Sequence, residues 1–139
     1  MKLTIELVPK TSFYNNVRKI LTRSEWKKIS KETSTKANNI CEICGGVSWN
    51  RSLDCHEIWE YDDINHIQTF KRFIALCTKC HEVKHIGKAE VDGHLERAAK
   101  HFMKINNINH YAAQRLLQEA FDLWAERSQY NWTIDISII

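Results

Sequence analysis

The sequence predicts an α+β fold in which a strand–loop–strand–helix unit is flanked by N-terminal and C-terminal helices. Two Cys-x-x-Cys pairs lie on either side of two β-prone stretches, at 52–60 and 70–76. Apolar residues at helical spacing occupy much of the chain after Gly87. Only four glycines and one proline occur in 139 residues, so a high content of regular structure is expected.

The N-terminal segment, residues 1–40, is predicted to form a strand and two helices. Residues 3–8 alternate loosely between apolar and polar and end at a proline, which predicts a short strand. Thr11 or Ser12 can cap a first helix. Thr22 and Glu25 have the spacing of a capping box, so a second helix is expected from there to about residue 38.

Residues 41–90 are predicted to form the central unit. Residues 41–46 are expected to make a tight turn, or knuckle, whose amides face the cysteine sulfurs. On the strand that follows, Asp54 and His56 lie on one side and Cys55 on the other. A turn at 62–65 leads to the second strand, and the helix after it is expected to end near Gly87.

The two cysteine pairs predict a structural Zn²⁺ site. Each Cys-x-x-Cys turn supplies two thiolates, and four thiolates complete the tetrahedral shell that structural zinc prefers. The alternative is a set of buried free cysteines. A fifth cysteine, Cys55, is expected to be a small core residue of the strand. The predicted zinc ligands are Cys41, Cys44, Cys77 and Cys80.

The histidines predict a second site. His81 and His85 are four residues apart and therefore share one face of a helix. His56 lies on the strand that the cysteine pairs draw toward that helix, so three imidazoles could together hold a divalent cation. The alternative is that His56 packs in the sheet and the other two face solvent. The remaining histidines are assigned surface or packing roles: His66, His94, His101 and His110.

Residues 91–139 are predicted to form a helical extension with a terminal strand. Apolar residues recur at helical spacing from Leu95 to Ile105 and from Ala113 to Trp124, with a connection near 106–109. Residues 132–139 alternate like a strand that could pair with residues 3–8. The two helices could form a homodimer interface or pack back on the core.

Composition and charge lead to expectations about the cellular location and the partners of the protein. No run of 18 apolar residues occurs, so no membrane association is expected. The first residues are too charged for a signal peptide, which predicts a cytoplasmic location and favours reduced thiols and zinc over disulfides. The formal net charge of +3 and the pI near 8.6 are compatible with a polyanionic partner.

Residues 41–87, about a third of the chain, resemble the HNH endonuclease family, in the subgroup with a ββα-metal motif and a zinc knuckle. The resemblance rests on three segments: Cys41-Glu-Ile-Cys44, Asp54-Cys-His56-Glu-Ile-Trp59-Glu-Tyr61-Asp and Leu76-Cys-Thr-Lys-Cys80-His81-Glu-Val-Lys-His85-Ile-Gly87. It implies a metal-dependent enzyme that hydrolyses phosphodiester bonds in DNA.

The resemblance also implies roles for the three histidines. His56 takes the place of the general base that removes a proton from water. His81 takes the place of a ligand to one divalent cation, such as Mg²⁺, Mn²⁺, Ni²⁺ or Zn²⁺, and His85 fits a further ligand position one helical turn later.

Two positions depart from the family pattern. Many members have a metal-binding aspartate or histidine directly before the base, where this chain has Cys55. Asp54 is expected to substitute for it only through a bulge in the strand. The family's middle asparagine is replaced by Arg72, and Asn65 lies earlier, in the loop.

Basic residues follow the second strand and continue into the C-terminal extension: Lys71, Arg72, Lys79, Lys84, Lys88, Arg97, Lys100 and Lys104. Several are expected to face the same way as the paired histidines and to contact DNA phosphates. The alternative is a solvated surface. The sequence therefore favours a DNA endonuclease, with a non-catalytic zinc module that binds nucleic acid or a protein partner as the second hypothesis.

Overall fold

A computed structural model describes residues 1–13, 16–47 and 52–137, and these residues form the expected α+β fold. The helices and strands in chain order are α1 (Val17–Ile20), α2 (Arg23–Lys36), β1 (Asp54–Asp62), β2 (Ile67–Leu76), α3 (Thr78–Lys84), α4 (Ile86–Val91), α5 (Leu95–Asn106), α6 (His110–Arg127) and β3 (Thr133–Asp135). No helix among the described residues is long and apolar enough to cross a membrane.

The predicted strand–turn–strand unit is an antiparallel ribbon of β1 and β2. Pairing runs from Asp54 opposite Leu76 to Asp62 opposite Ile67, with one irregularity after Ile58. Carboxylate oxygens of Asp62 accept hydrogen bonds from the backbone amide and side-chain amide of Asn65, which fixes the turn. The ribbon therefore separates its turn from the Asp54 end by the full length of β1.

The prediction of a strand at residues 3–8 was wrong, as was its pairing with the C-terminal tail. Asn106 on α5 satisfies the Leu3 backbone in place of a neighbouring strand, accepting from its N–H and donating to its carbonyl at 2.9 and 2.8 Å. The tail strand β3 instead pairs in parallel with β2. The end of the predicted tail, residues 138–139, lies outside the described residues.

The first helix begins later than predicted. Residues 11–13 form a turn, and Ser12 is buried there with its hydroxyl 2.7 Å from Gln68 Oε1. Asn16 caps the four-residue helix α1. The predicted capping box of α2 is confirmed, since Thr22 Oγ1 accepts from the Glu25 amide at 3.1 Å and Glu25 Oε1 accepts from the Thr22 amide at 2.9 Å.

The helix predicted to end near Gly87 ends at Lys84, and Gly87 is not its C′ residue. The chain leaves helical geometry at His85, with φ −106° and ψ 46°, and a new helix, α4, contains Gly87. The break places His85 at the C-terminus of α3 while its amide still bonds to the His81 carbonyl at 3.1 Å. His81 and His85 therefore remain neighbours despite the break.

One hydrophobic cluster joins the central unit to both flanks. Leu76, Val83, Ile86 and Phe102 are almost fully buried in it, and Leu3 enters it from the N-terminal segment. Helix α5 packs against α3 and α4, so this part of the extension packs back on the core. The central unit is therefore held by packing on several sides.

Candidate metal centres

The four predicted zinc-ligand cysteines converge. The Sγ atoms of Cys41, Cys44, Cys77 and Cys80 all lie within 4.8 Å of one another. Cys44 Sγ and Cys77 Sγ are 3.7 Å apart, far from disulfide length. Sulfurs bound to one tetrahedral zinc at about 2.3 Å would be roughly 3.8 Å apart. The cluster thus fits a metal ion of zinc's size and geometry.

Backbone geometry explains how the knuckle presents its sulfurs. The Cys41 and Gly46 backbones close the turn with a 2.9 Å hydrogen bond, and the Gly46 N–H points at Cys44 Sγ from 3.4 Å. Gly45 has φ 74°, a conformation that favours glycine. Across the site, Cys77 caps α3 by accepting from the Cys80 amide at 3.4 Å. Amide donors therefore face two of the four sulfurs.

The close approach of the four sulfurs shifts the thiol pKa values in opposite directions. The pKa of Cys41 is lowered to about 4, chiefly because Cys80 donates a hydrogen bond to it. The pKa of Cys80 is raised, first by that same hydrogen bond and then by burial. A shared proton therefore stabilises one thiolate at the expense of another. A bound cation would allow all four to ionise, as zinc binding requires.

His101 joins the cysteine cluster, which sequence reasoning missed. Its Nε2 lies 3.2 Å from Cys80 Sγ, so a proton on that nitrogen would be donated to the sulfur. The sequence carried no signal for this contact, because His101 reaches the site only through the packing of α5 on α3. Its assignment to a surface or packing role was incomplete.

The three predicted site histidines also converge. His56 projects from β1 toward the end of α3, with its ring centroid 5.3 Å from that of His81 and 5.0 Å from that of His85. The His81 and His85 centroids are 4.7 Å apart. One ring nitrogen from each lies within 4.8 Å of the other two. Small side-chain adjustments would suffice to bring three nitrogens to one cation at about 2.1 Å from each.

Asp54 orients one histidine of this cluster. Its Oδ2 lies 3.0 Å from His81 Nδ1, so the carboxylate holds a proton on Nδ1 and leaves Nε2 free to act as a ligand. Asp54 reaches His81 because it alternates with His56 on a regular part of β1. The strand has no irregularity at Asp54, and its carboxylate contacts His81 without joining the three-histidine ligand group.

The electrostatic environment keeps two of the imidazoles neutral. Burial, together with the nearby His85, His81 and Lys84, lowers the pKa of His56 to about 3. Burial likewise lowers the pKa of His85 to about 4, assisted by His81 and Lys88. Neutral rings at physiological pH offer the lone pairs that a cation or a transferred proton needs.

The positions that depart from the HNH pattern lie away from the histidines. Cys55 faces the opposite side of the ribbon, where its sulfur is 3.8 Å from Thr33 Oγ1 on α2. Arg72 bonds to Glu42 Oε1 in the knuckle at 3.2 Å. Asn65 lies in the turn at the far end of the ribbon. The last residue of β1, Asp62, is already six residues from His56, which is about 20 Å at strand spacing. None of the three joins the histidine cluster.

The basic residues predicted to contact DNA are mostly engaged within the protein. Lys84 is 7% exposed and pairs with Glu6 Oε2 at 2.9 Å, so it is not available to a partner. Arg97 forms a two-point contact with Glu82 on α3. Further ion pairs occupy Lys71, Arg72, Lys88 and Lys100. The predicted phosphate-binding set is therefore largely neutralised.

The chain matches no family model, and neither the comparison with curated proteins nor that with solved structures found a significant match.

Proposed function

We propose that the protein is a metal-dependent endonuclease of the HNH type that hydrolyses phosphodiester bonds in DNA. The observation that carries the proposal is the meeting of three imidazoles, His56, His81 and His85, on a ββα unit whose helix begins at a four-thiolate cluster. A structural zinc module alone has no need for three converging histidines and a carboxylate that orients one of them.

In this proposal His56 is the general base. Its ring is neutral at pH 7 and faces the other two histidines across a short gap, so it can take a proton from a water poised for in-line attack on phosphorus. The water's oxygen forms the new bond to phosphorus, and the 3′ oxygen leaves with the electrons of the broken bond.

His81 and His85 hold the divalent cation, and Asp54 fixes the tautomer of His81. When bound there, the cation would stabilise negative charge that develops on the phosphate oxygens and on the leaving 3′ oxygen. The four cysteines have a separate task, since a zinc ion among them would fix the start of α3, where His81 lies one turn from Cys77.

The test is conversion of supercoiled plasmid to nicked or linear forms by the purified protein, with Mg²⁺, Mn²⁺, Ni²⁺ or Zn²⁺ supplied separately. His56→Ala should fold and lower the rate by about 10²- to 10⁴-fold, the usual contribution of a general base. His110→Ala, which removes an exposed histidine at the start of α6, is the matched control and should cut at the wild-type rate. Equal rates for the two variants would refute the base assignment.

A second candidate is a non-catalytic zinc module that binds nucleic acid or a protein partner. The observation that favours it is the replacement of the family's middle asparagine by Arg72, which pairs with Glu42 instead of serving the histidines. This candidate predicts DNA binding without cleavage in every divalent metal.

A further inference from the structure

Positive charge is concentrated in one segment of the chain. Residues 16–40 contain seven lysines and arginines and two glutamates, for a net charge of +5. The rest of the chain has 13 basic and 15 acidic residues, for a net charge of −2. The mild positive charge of the whole protein thus comes from α1, α2 and the residues around them.

The cations of α2 have no anionic partners among the described residues. Among the described residues, salt bridges join cations on β2, α3, α4, α5 and α6 to carboxylates, but none involves a cation of α2. The α2 cations are Arg23, Lys27, Lys28, Lys31 and Lys36. A surface built only for solubility would interleave the two signs, as the C-terminal helices do.

Helix α2 packs against the ribbon. The Trp26 ring meets Phe73 of β2 edge-on at 5.6 Å, and Cys55 of β1 contacts Thr33 of α2. The helix therefore presents its lysines on the face of the ribbon opposite the histidine cluster.

A groove runs between α2 and the residues that lead into β1. It encloses about 420 Å³ and has Lys27 and Lys31 on its helical wall and Ser52 and Leu53 on the other. Among the residues that the structure describes, no carboxylate lines it. Leu53 directly precedes Asp54, whose carboxylate contacts His81, so the groove meets the ribbon at the end that carries the candidate catalytic site.

We propose that this groove holds a stretch of the phosphodiester backbone of the substrate DNA, outside the histidine cluster, with Lys27 and Lys31 neutralising phosphates. The inference rests on the proposed nuclease function for the identity of the polyanion.

A second basic groove, between α3 and α5, is the natural competitor. Lys79, Lys100 and Lys104 line it together with Arg97, but Glu82 and Glu96 lie in the same walls. Ion pairs to those glutamates already engage Arg97 and Lys100. The lysines of the α2 groove have no such carboxylate partners among the described residues, so this groove is the better candidate for binding phosphates.

The experiment measures binding of the full chain to a fluorescein-labelled 20-base-pair duplex by anisotropy, from 50 to 200 mM salt and without a divalent cation. The test variant is Lys27→Gln/Lys31→Gln. The matched control is Lys100→Gln/Lys104→Gln, which makes the same change in net charge on the other groove. All four lysines lie in the described helices α2 and α5, and thermal melting checks that each variant folds.

Losing two phosphate contacts should lower the magnitude of the slope of log K against log salt by about 1.8, so that the loss of affinity is about twelvefold larger at 50 mM than at 200 mM salt. The control should change affinity by less than about threefold. An unchanged slope in the α2 variant, or a larger loss in the α5 control, would overturn the assignment. Binding with the expected loss but no plasmid cleavage would uphold the groove and refute only the nuclease.

Discussion

Replacing Asp54 should weaken cation binding at the histidine cluster without unfolding the protein. The carboxylate lies 3.0 Å from His81 Nδ1 and holds that ring in one orientation and one tautomer. Partners that orient a ligand histidine are typically worth about 10- to 100-fold in metal affinity. Here the side chains of Asp54 and His81 are 42% and 27% exposed, so water screens the contact and the lower end applies.

Asp54→Ala is therefore expected to raise the dissociation constant for Ni²⁺ by about tenfold, equal to about 1.4 kcal/mol. Asp54→Asn should lose less, because an amide oxygen can still accept a hydrogen bond from Nδ1. Calorimetric titration of the zinc-loaded protein measures both. Asp62→Asn is the matched control, since Asp62 is at the other end of the same strand and bonds to Asn65.

Two results would refute this reasoning. One is wild-type Ni²⁺ affinity in Asp54→Ala, which would mean that the carboxylate does not orient a metal ligand. The other is an equal loss in Asp62→Asn, which would mean that the effect comes from the removal of any acidic residue on β1.

Three further predictions concern the two clusters. Chelation of the structural metal should lower the melting temperature sharply. Zinc binding at a structural site contributes about 10–16 kcal/mol, which is as much as the whole stability of a domain. An unchanged melting temperature would exclude a structural metal. The His101→Leu variant should release zinc to a chromogenic chelator about tenfold faster than the wild type, because it loses the contact with Cys80. The control is His94→Leu, which changes an exposed histidine and should release zinc at the wild-type rate. Equal release rates for the two variants would contradict the role of the contact. The third prediction concerns the free energy of unfolding, measured by urea titration at pH 7 and at pH 5 without added divalent cation. Between these two pH values the wild type should lose about 1 to 2 kcal/mol more than His56→Gln. Equal losses would contradict the lowered pKa of His56.

The sign of the pH effect follows from the direction of the pKa shift. His56 has a pKa of about 3 in the folded protein and an ordinary value near 6.5 when unfolded. The unfolded chain therefore binds the extra proton first as the pH falls. The free energy of unfolding is therefore highest, as far as His56 is concerned, above pH 6.5, and it decreases progressively as the pH falls toward 3.

The parts of the fold that were predictable from sequence depend on local chemistry. The ribbon could be located because apolar alternation and the cysteine pairs mark its ends. The α2 capping box could be located because Thr22 and Glu25 satisfy each other's backbone amides. The convergence of the three histidines also followed, since His81 and His85 are one turn apart and the thiol cluster draws β1 toward α3.

The errors arose where distant residues decide the outcome. Residues 3–8 look like a strand, but Asn106, about a hundred positions away, takes up the backbone groups that a neighbouring strand would use. Lys84 looked like a DNA contact, yet Glu6 and the core enclose it. The ion pairs that occupy the predicted basic face, and leave α2 without them, likewise become visible only in three dimensions.

The most direct test of the central claim is end-group analysis of an oligonucleotide duplex incubated with the protein and its active metal. Attack by water activated at His56, with departure of the 3′ oxygen, predicts products with 5′-phosphate and 3′-hydroxyl ends, formed by wild type and His110→Ala but not by His56→Ala. A protein that binds the duplex and leaves it intact in every metal, or whose His56→Ala variant yields the same products at the same rate, would contradict the proposal.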